Sequence, residues 1–599
     1  MKDDRLLLLL LETKQPAHLA LGVNVDLRSK GTRFVGAVTS LAILGALQFV
    51  APRGNALAGP MISSPAPTAA EFAARADADA STPVRRTVRR SCGRAASLVV
   101  SSALAAGAIA CTGQGAPQTP PSIQTDSAAA GSASPIISFV DGTVPRGLTH
   151  QRTITWGSTW VDHDGDGDFD LLANRHWHRP RFFINRAGNY AVSNEMFFSG
   201  RKKFFDRHSC AWGEANGDGK VDLYCGSGAL KGEGFGANQL WIQTKVGFTN
   251  KSREYRTRDG YGRSRSVNWI DYDSDGDLDL FVGNKLRTRA PNVMFRNDRG
   301  RFARADVGLS TRVNSLASMW SDWDGDGDPD LLLIRYQPEK ARAFENVGGS
   351  FERIALEGVT GRHWSSASWG DYDGDGWPDL HLIAPHSSVI LRNESGSFTE
   401  AHSVALQAGA SSTWLDVDND GDLDSFVVQG RRAGVNRSDF FLIQQNGGFT
   451  AFFDRSFRGP KTGSGETASV ADVDLDGRQD LFVTNGALLG EETDIEGSWQ
   501  LLENRTESAN WVAIELHGDD WNPWGYGALL RVEADGMDYR REVNDGVAMR
   551  SQSGIGRMLL GIGGAPEARV TIEWPGGATD CVDVQAGDVV AVKEGGTPC

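Results

Sequence analysis

The chain is short of basic residues. Its 61 Lys and Arg stand against 76 Asp and Glu, for a formal net charge of −15. A nucleic-acid protein normally presents a basic face, so that class is excluded. Cysteine is scarce as well, at six in 599 residues, which excludes a fold held together by dense disulfides. No Gly-rich phosphate loop follows a strand pattern, and no G-x-S-x-G elbow stands between a strand and a helix. The apolar runs near the N-terminus are short for a bilayer span. His176 and His178, in "HWHRPR", share one face of a strand but bring no third ligand, so they read as surface residues rather than a metal site. No catalytic set emerges.

With 40% hydrophobic and 23% charged residues, most of the chain can bury a core. Residues 1–111 read instead as an export region, rich in Ala, Ser, Pro and Arg. One apolar run, Phe34 to Ala51, is followed by a cleavage-like Ala56-Leu57-Ala58. A second begins with Arg89, Arg90 and Arg94, continues through Ala95 to Ala110, and ends at Cys111, the expected lipidation site of a bacterial lipobox. A start at Val88 would yield a compact lipoprotein signal. Either arrangement predicts export, as a surface-anchored lipoprotein or a secreted protein, with membrane contact only through a lipid anchor. Residues 112–136 read as a flexible linker.

From residue 150 one acidic loop recurs seven times, and repeats decide architecture before anything else does. Taking positions 1, 3, 5, 7 and 9, the first copy carries Asp162, Asp164, Asp166, Asp168 and Asp170. The second carries Glu214, Asn216, Asp218, Lys220 and Asp222. The third carries Asp271, Asp273, Asp275, Asp277 and Asp279, and the fourth Asp322, Asp324, Asp326, Asp328 and Asp330. The fifth carries Asp371, Asp373, Asp375, Trp377 and Asp379. The sixth carries Asp416, Asp418, Asp420, Asp422 and Asp424, and the seventh Asp472, Asp474, Asp476, Arg478 and Asp480. Positions 5 and 9 are always Asp and position 6 always Gly, while position 7 wanders through Lys, Trp and Arg. Fixed side-chain oxygens at alternating sites, a free position that offers its carbonyl, and a Gly for the sharp turn follow the logic of a calcium loop. So much like charge in nine residues needs a counter-ion, and up to seven Ca2+ are expected. The second copy departs furthest from the pattern.

The loop starts lie 45 to 57 residues apart, the length of a four-stranded propeller blade. Two residues before each loop stands Trp160, Trp212, Trp269, Trp320, Trp369, Trp414 or, in the last copy, Val470. A residue fixed in every repeat is expected to pack between repeats. Beyond each loop come an apolar strand, a strand ending in Asn, a Gly turn and a Phe, as in "MFRNDRGRF" and "LIQQNGGF". This pattern resembles the FG-GAP or VCBS repeat family, whose calcium-loop propellers include the integrin α-chain head. The resemblance covers residues 137–507 and implies an all-β, seven-bladed β-propeller that binds calcium at the positions above. The last copy has no obvious fourth strand, so Ile137 to Gly142 is expected to supply it.

Residues 508–599 carry no such loop. "NWVAIEL", "GYGALLRVEADG" and "ARVTIEWPGG" resemble the ASPIC/UnbV domain, which follows FG-GAP repeats in the cartilage acidic protein family. A small C-terminal β domain is expected.

Cys210 and Cys225 flank the second loop on strands expected to be neighbours, and export permits a disulfide between them. Cys581 and Cys599 can form a second. In the propellers this chain resembles, calcium loops lie on one face and the segments leading into each first strand open on the other. Those segments carry Arg152, Arg207, His208, Arg263, Arg265, Arg312, Arg362 and His363. Gathered around one channel they would form a positive rim for an anionic glycan or protein ligand. Three functional readings remain open: a binding or adhesion module, a calcium-dependent lyase or dehydratase acting on sugars, and a structural extracellular protein.

Overall fold

The structure, a computed structural model, describes residues 136–599 except 149–153, 177, 194–206, 229–236, 261, 286–289, 460–462, 490–492, 496, 545–546 and 549. The export region with Cys111, nearly all of the linker, and Arg152 lie outside the described residues. Every regular element among the described residues is a β-strand. They build seven sets of four antiparallel strands and, near the C-terminus, two further sheets.

Each acidic loop joins the first two strands of a set, and the register is the same every time. The residue two before position 1 faces the residue just after position 9: Trp160 opposes Leu171, Trp212 opposes Leu223, Trp269 opposes Leu280, and Val470 opposes Leu481. The seventh set draws its fourth strand from the other end of the chain. Phe139–Asp141 pairs antiparallel with Gln500–Asn504, Phe139 opposite Asn504 and Asp141 opposite Leu502. The first strands contact one another in sequence order, and the first strand of the seventh set also contacts that of the first. The architecture is β-propeller-like.

Two devices hold neighbouring sets together. The first is the Trp before each loop. The indole N–H of Trp269 donates to the Ala211 carbonyl (3.1 Å) and that of Trp414 to the Ser368 carbonyl (3.2 Å), each one set back. Trp160 reaches Ser469 in the seventh set at 2.9 Å. These side chains are packing elements, as their place in six of the seven repeats suggests. A Cβ built on Gly213 would stand 2.4 Å from the Trp269 ring. Gly213→Ala is therefore expected to lower stability by ~1–3 kcal/mol through overpacking; an unchanged urea midpoint would refute this packing account.

The second device is the Asn or Gln that ends the third strand. Its side-chain amide donates to the carbonyl of loop position 2 in the preceding set: Gln243 to His163, Asn346 to Tyr272, Asn393 to Trp323, Gln444 to Tyr372 and Asn504 to Val417. Asn185 does the same to Val473, tying the first set to the seventh.

The C-terminal region is built on Asn510–His517, flanked by Arg557–Gly563 and Val589–Lys593, and on a second sheet of four strands. The disulfide Cys581–Cys599 ties its last strand pair to the C-terminus, and Cys210 is bonded to Cys225 on directly opposed residues of the second set. The region does not keep a core of its own. Val512, Ile514, Leu530 and Val570 join Trp212, Leu223 and Trp269 in one apolar cluster. It lies against the acidic loops: Arg541 donates to the carbonyls of Asp371 (3.2 Å) and Gly421 (2.7 Å). A short hairpin, Val547–Ala548 with Ser551–Gln552, extends the first set by a parallel pairing of Gln552 with Thr159.

Candidate metal centres and a buried cationic cluster

The seven loops share one internal hydrogen-bond plan. The position-1 carboxylate accepts the N–H of the position-6 Gly in six copies, at 2.9 to 3.0 Å: Asp162, Asp271, Asp322, Asp371, Asp416 and Asp472. In the second copy Glu214 accepts from Asn216 and Gly217 instead. The position-5 Asp accepts the N–H of position 7 in all seven, at 3.0 to 3.2 Å. The position-9 Asp accepts, through Oδ1, the N–H of the Asn or Gln ending the third strand, again in all seven. Its Oδ2 accepts the N–H of position 2 in six copies, at 3.0 to 3.4 Å, and has no hydrogen-bond partner at Asp330, so position 9 is a structural anchor.

Backbone conformation explains two further positions. The position-6 Gly has φ between 69° and 93° in every copy, where a Cβ is disfavoured. Position 4 is also left-handed throughout, although it is Gly165, Gly217, Ser274, Gly325, Gly374, Asn419 and Leu475. At position 7 the side chain accepts hydrogen bonds in three of the four copies where it is Asp. Asp168, Asp277 and Asp328 accept main-chain N–H groups from the turn between the third and fourth strands, at 2.6 to 2.9 Å.

The plan leaves specific oxygens over. Asp271, Asp273 and Asp279 can place one oxygen each within 4.8 Å of the others, and so can Asp322, Asp324 and Asp330, and Asp371, Asp373 and Asp379. In the first copy Asp162, Asp164 and Asp166 do this, as do His163, Asp164 and Asp170. Buried carboxylate oxygens without a hydrogen-bond partner occur in six of the seven loops, at Glu214, Asp273, Asp324, Asp330, Asp371, Asp416, Asp418 and Asp474. Such atoms are costly unless a cation or donor takes them. Burial pushes Glu214, Asp271, Asp418 and Asp472 up to about 7, with neighbouring loop carboxylates adding to it. Oxygen-only donors of this density suit a hard divalent cation. The second loop has Asn216 in place of a carboxylate, and Lys220 bonds Asp218 at 2.9 Å. Arginines also share the load: Arg296 pairs with Asp273 and Asp275, Arg392 with Asp373 and Asp375, and Arg505 with Asp476.

The rim residues do not share one environment. Arg207, His208 and Arg265 are buried. The His208 ring meets Trp156 at 4.1 Å between centroids. Arg263 is half-buried, and Arg312 and Arg362 are exposed. His363 is half-buried, with Nδ1 2.9 Å from the Glu339 carbonyl. What the structure gathers is a different set. Arg265 Nε and Arg550 Nη2 both donate to the Tyr336 hydroxyl, at 3.1 and 3.2 Å. Lys285 Nζ lies 3.6 Å above the Tyr336 ring, Arg550 stacks 4.5 Å over Trp156, and its Nη1 pairs with Glu466. Burial alone would raise the Tyr336 phenol, but Arg265, Arg550 and Lys285 outweigh it and bring it down to about 8. Of these only Arg265 was flagged by sequence spacing. The others come from separate repeats and from the C-terminal region, so no local pattern announces them.

The FG-GAP-like repeat matches residues 214–282, 322–382, 371–427 and 416–483, which include the second to seventh loops. The chain carries FG-GAP-like repeats. These matches take in loop-and-strand units described above, in sheets that pack in propeller fashion. No curated protein matches the chain. Solved structures similar over part of it include the following three. YCF48 from Cyanidioschyzon merolae is 7% identical, with a TM-score of 0.37, over 59% of this chain and 96% of that one. An Agrocybe aegerita lectin specific for non-reducing terminal N-acetylglucosamine is 13% identical, with a TM-score of 0.34, over 59% and 91%. The extracellular domain of BT4673 from B. thetaiotaomicron is 8% identical, with a TM-score of 0.37, over 76% of this chain and 59% of that one.

Proposed function

We propose that this chain is an exported, calcium-loaded seven-bladed β-propeller that serves as a surface or extracellular binding module for anionic glycans. The seven four-stranded sets are its blades, and residues 508–599 form an ASPIC/UnbV-like region seated on the calcium-loop face. The observation that carries the reading is the set of unpartnered buried carboxylate oxygens, repeated at equivalent loop positions. Positions 1, 3, 5 and 9, with the carbonyl of position 7, would hold the ions, and position 3 is the one acid with no main-chain N–H of its own loop assigned to it in most copies. Calcium here is structural. It neutralises the loops and fixes the blades that carry the binding surface.

A second reading, a calcium-dependent lyase or dehydratase, is favoured by one observation. Tyr336, lowered to about 8 between two guanidinium groups, has the environment of a phenol that can exchange a proton near neutral pH.

The test is calorimetric titration of chelator-stripped protein with CaCl2, followed by a glycan array on the loaded protein with product analysis. Several calcium ions per chain, and capture of acidic glycans without turnover, are the expected results. Absence of calcium binding, or capture of neutral glycans alone, overturns the binding-module reading. Unsaturated or dehydrated sugar products would select the enzyme.

A further inference from the structure

The cluster around Tyr336 has donors that outnumber its acceptors. The hydroxyl oxygen of Tyr336 already receives two guanidinium N–H groups, so its own O–H must point to an acceptor elsewhere. No described residue accepts from it. Lys285 lies over the ring with its ammonium 3.6 Å from the centroid, and no described carboxylate pairs with it. Behind them Arg550, whose side chain is only 2% exposed, is paired through Nη1 with Glu466 while its Nε has no partner among the described residues. Arg265, 1% exposed, is held in place by its bonds to Tyr336 and to the Ser264 carbonyl. Tyr336 and Lys285 are half-buried, so they form the accessible side of the cluster, and the two guanidinium groups form its back.

We propose that Lys285 and Tyr336, backed by Arg265 and Arg550, form an anion-receiving subsite for the carboxylate or sulfate of an acidic sugar. This rests on the glycan-binding reading above and places its charge recognition here. The Lys285 ammonium and the Tyr336 O–H would both donate to the anion, and charge-assisted bonds of this type are the strong ones. The two guanidinium groups polarise the phenol and supply positive potential in a setting of low effective dielectric. Trp156 serves as the platform on which Arg550 is stacked, so the ligand does not need to displace it. The C-terminal region is part of the subsite, since Arg550 immediately precedes the hairpin strand that reaches the first blade.

The experiment uses the full calcium-loaded chain and isothermal titration with three probes: a galacturonate oligosaccharide, sodium sulfate and a neutral galactose oligosaccharide. One or both anionic probes bind and the neutral one does not. Which anionic probe binds distinguishes carboxylate from sulfate recognition. Lys285→Gln and Tyr336→Phe each weaken binding by about tenfold or more, the loss expected for one charge-assisted bond, with calcium content and melting temperature unchanged. If either anionic probe binds and both variants bind it as the wild type does, the subsite is overturned while the glycan module stands. If neither anionic probe binds the wild type, the subsite is likewise overturned. If the probes bind and the variants lose them, yet no polymeric glycan is captured on the array, the subsite stands and the glycan module falls.

Discussion

Stripping calcium from the loaded protein is expected to lower its melting temperature by more than about 10 °C. A ligand that binds only the native state adds ~2.7 kcal/mol per site at a hundred times its dissociation constant, and several loops act together. The pH dependence should separate the two forms. Without metal, burial and then neighbouring loop acids hold Asp271 and Asp472 near about 7, and burial is also the main reason Asp330 and Asp379 reach about 8. In the unfolded chain these groups titrate near about 3.9. Between those values the folded state binds more protons, so stability of the stripped protein falls as pH rises from about 4 to about 8. Calcium needs the same oxygens deprotonated, so its stabilisation grows over that range. The gap in melting temperature between loaded and chelated protein should therefore widen from pH 5 to pH 8. A gap that stays constant, or a stripped protein that gains stability toward pH 8, would show that these carboxylates are not the metal ligands.

Gln552→Ala should cost ~2–4 kcal/mol, a large effect for one polar side chain. The Gln552 side chain is fully buried. Its Oε1 accepts the Trp212 main-chain N–H at 2.8 Å, and its Nε2 donates to the Trp212 carbonyl and to the Tyr526 hydroxyl, both at 3.2 Å. Removing the amide takes the acceptor from the Trp212 main-chain N–H and one donor from its carbonyl, which keeps the Tyr526 hydroxyl at 3.2 Å, and a buried group that loses its partner carries a desolvation penalty of ~1–3 kcal/mol. Because residues on both sides belong to one apolar cluster, unfolding of residues 136–599 should remain a single transition in the wild type. A variant with the wild-type urea midpoint would mean that the hairpin merely rests on the first blade. Two separated transitions in the wild type would mean that the C-terminal region folds alone.

Some of this was legible locally. The Asp at positions 1, 5 and 9 and the Gly at position 6 recur because each is bound to its own loop or set within a few residues. Their roles as hydrogen-bond acceptors and as a left-handed turn follow from that short range. The Trp before six of the seven loops was legible for the same reason, since Trp160, Trp269 and Trp414 each bond to a neighbouring first strand. Position 4 was not legible, because its constraint is a backbone angle that Ser274, Asn419 and even Leu475 adopt at φ of 55° to 59°. The residue ending the third strand was visible as a recurring Asn, and the structure puts Gln243 and Gln444 in the same role. Its purpose was not, because the carbonyl it binds lies 70 to 87 residues away in five copies of the six, and 288 residues away for Asn185.

The sequence by itself determined the repeat, its period, the acid pattern of the loops and the opposition of Cys210 to Cys225, because all of these are set by contacts along or between adjacent strands. Only the tertiary structure decided how the ends meet. Phe139–Asp141 pairs beside Gln500–Asn504 across 360 or so residues, and Arg550 reaches Tyr336 and Glu466 from a region with no repeat pattern. It also decided that Arg265 is a buried partner of Tyr336, while Arg312 and Arg362 stay in solvent. The physical reason is the same in each case. Spacing along a strand fixes which side of a sheet a residue takes, but the depth of a side chain and the charges that face it are set by the packing of separate sheets.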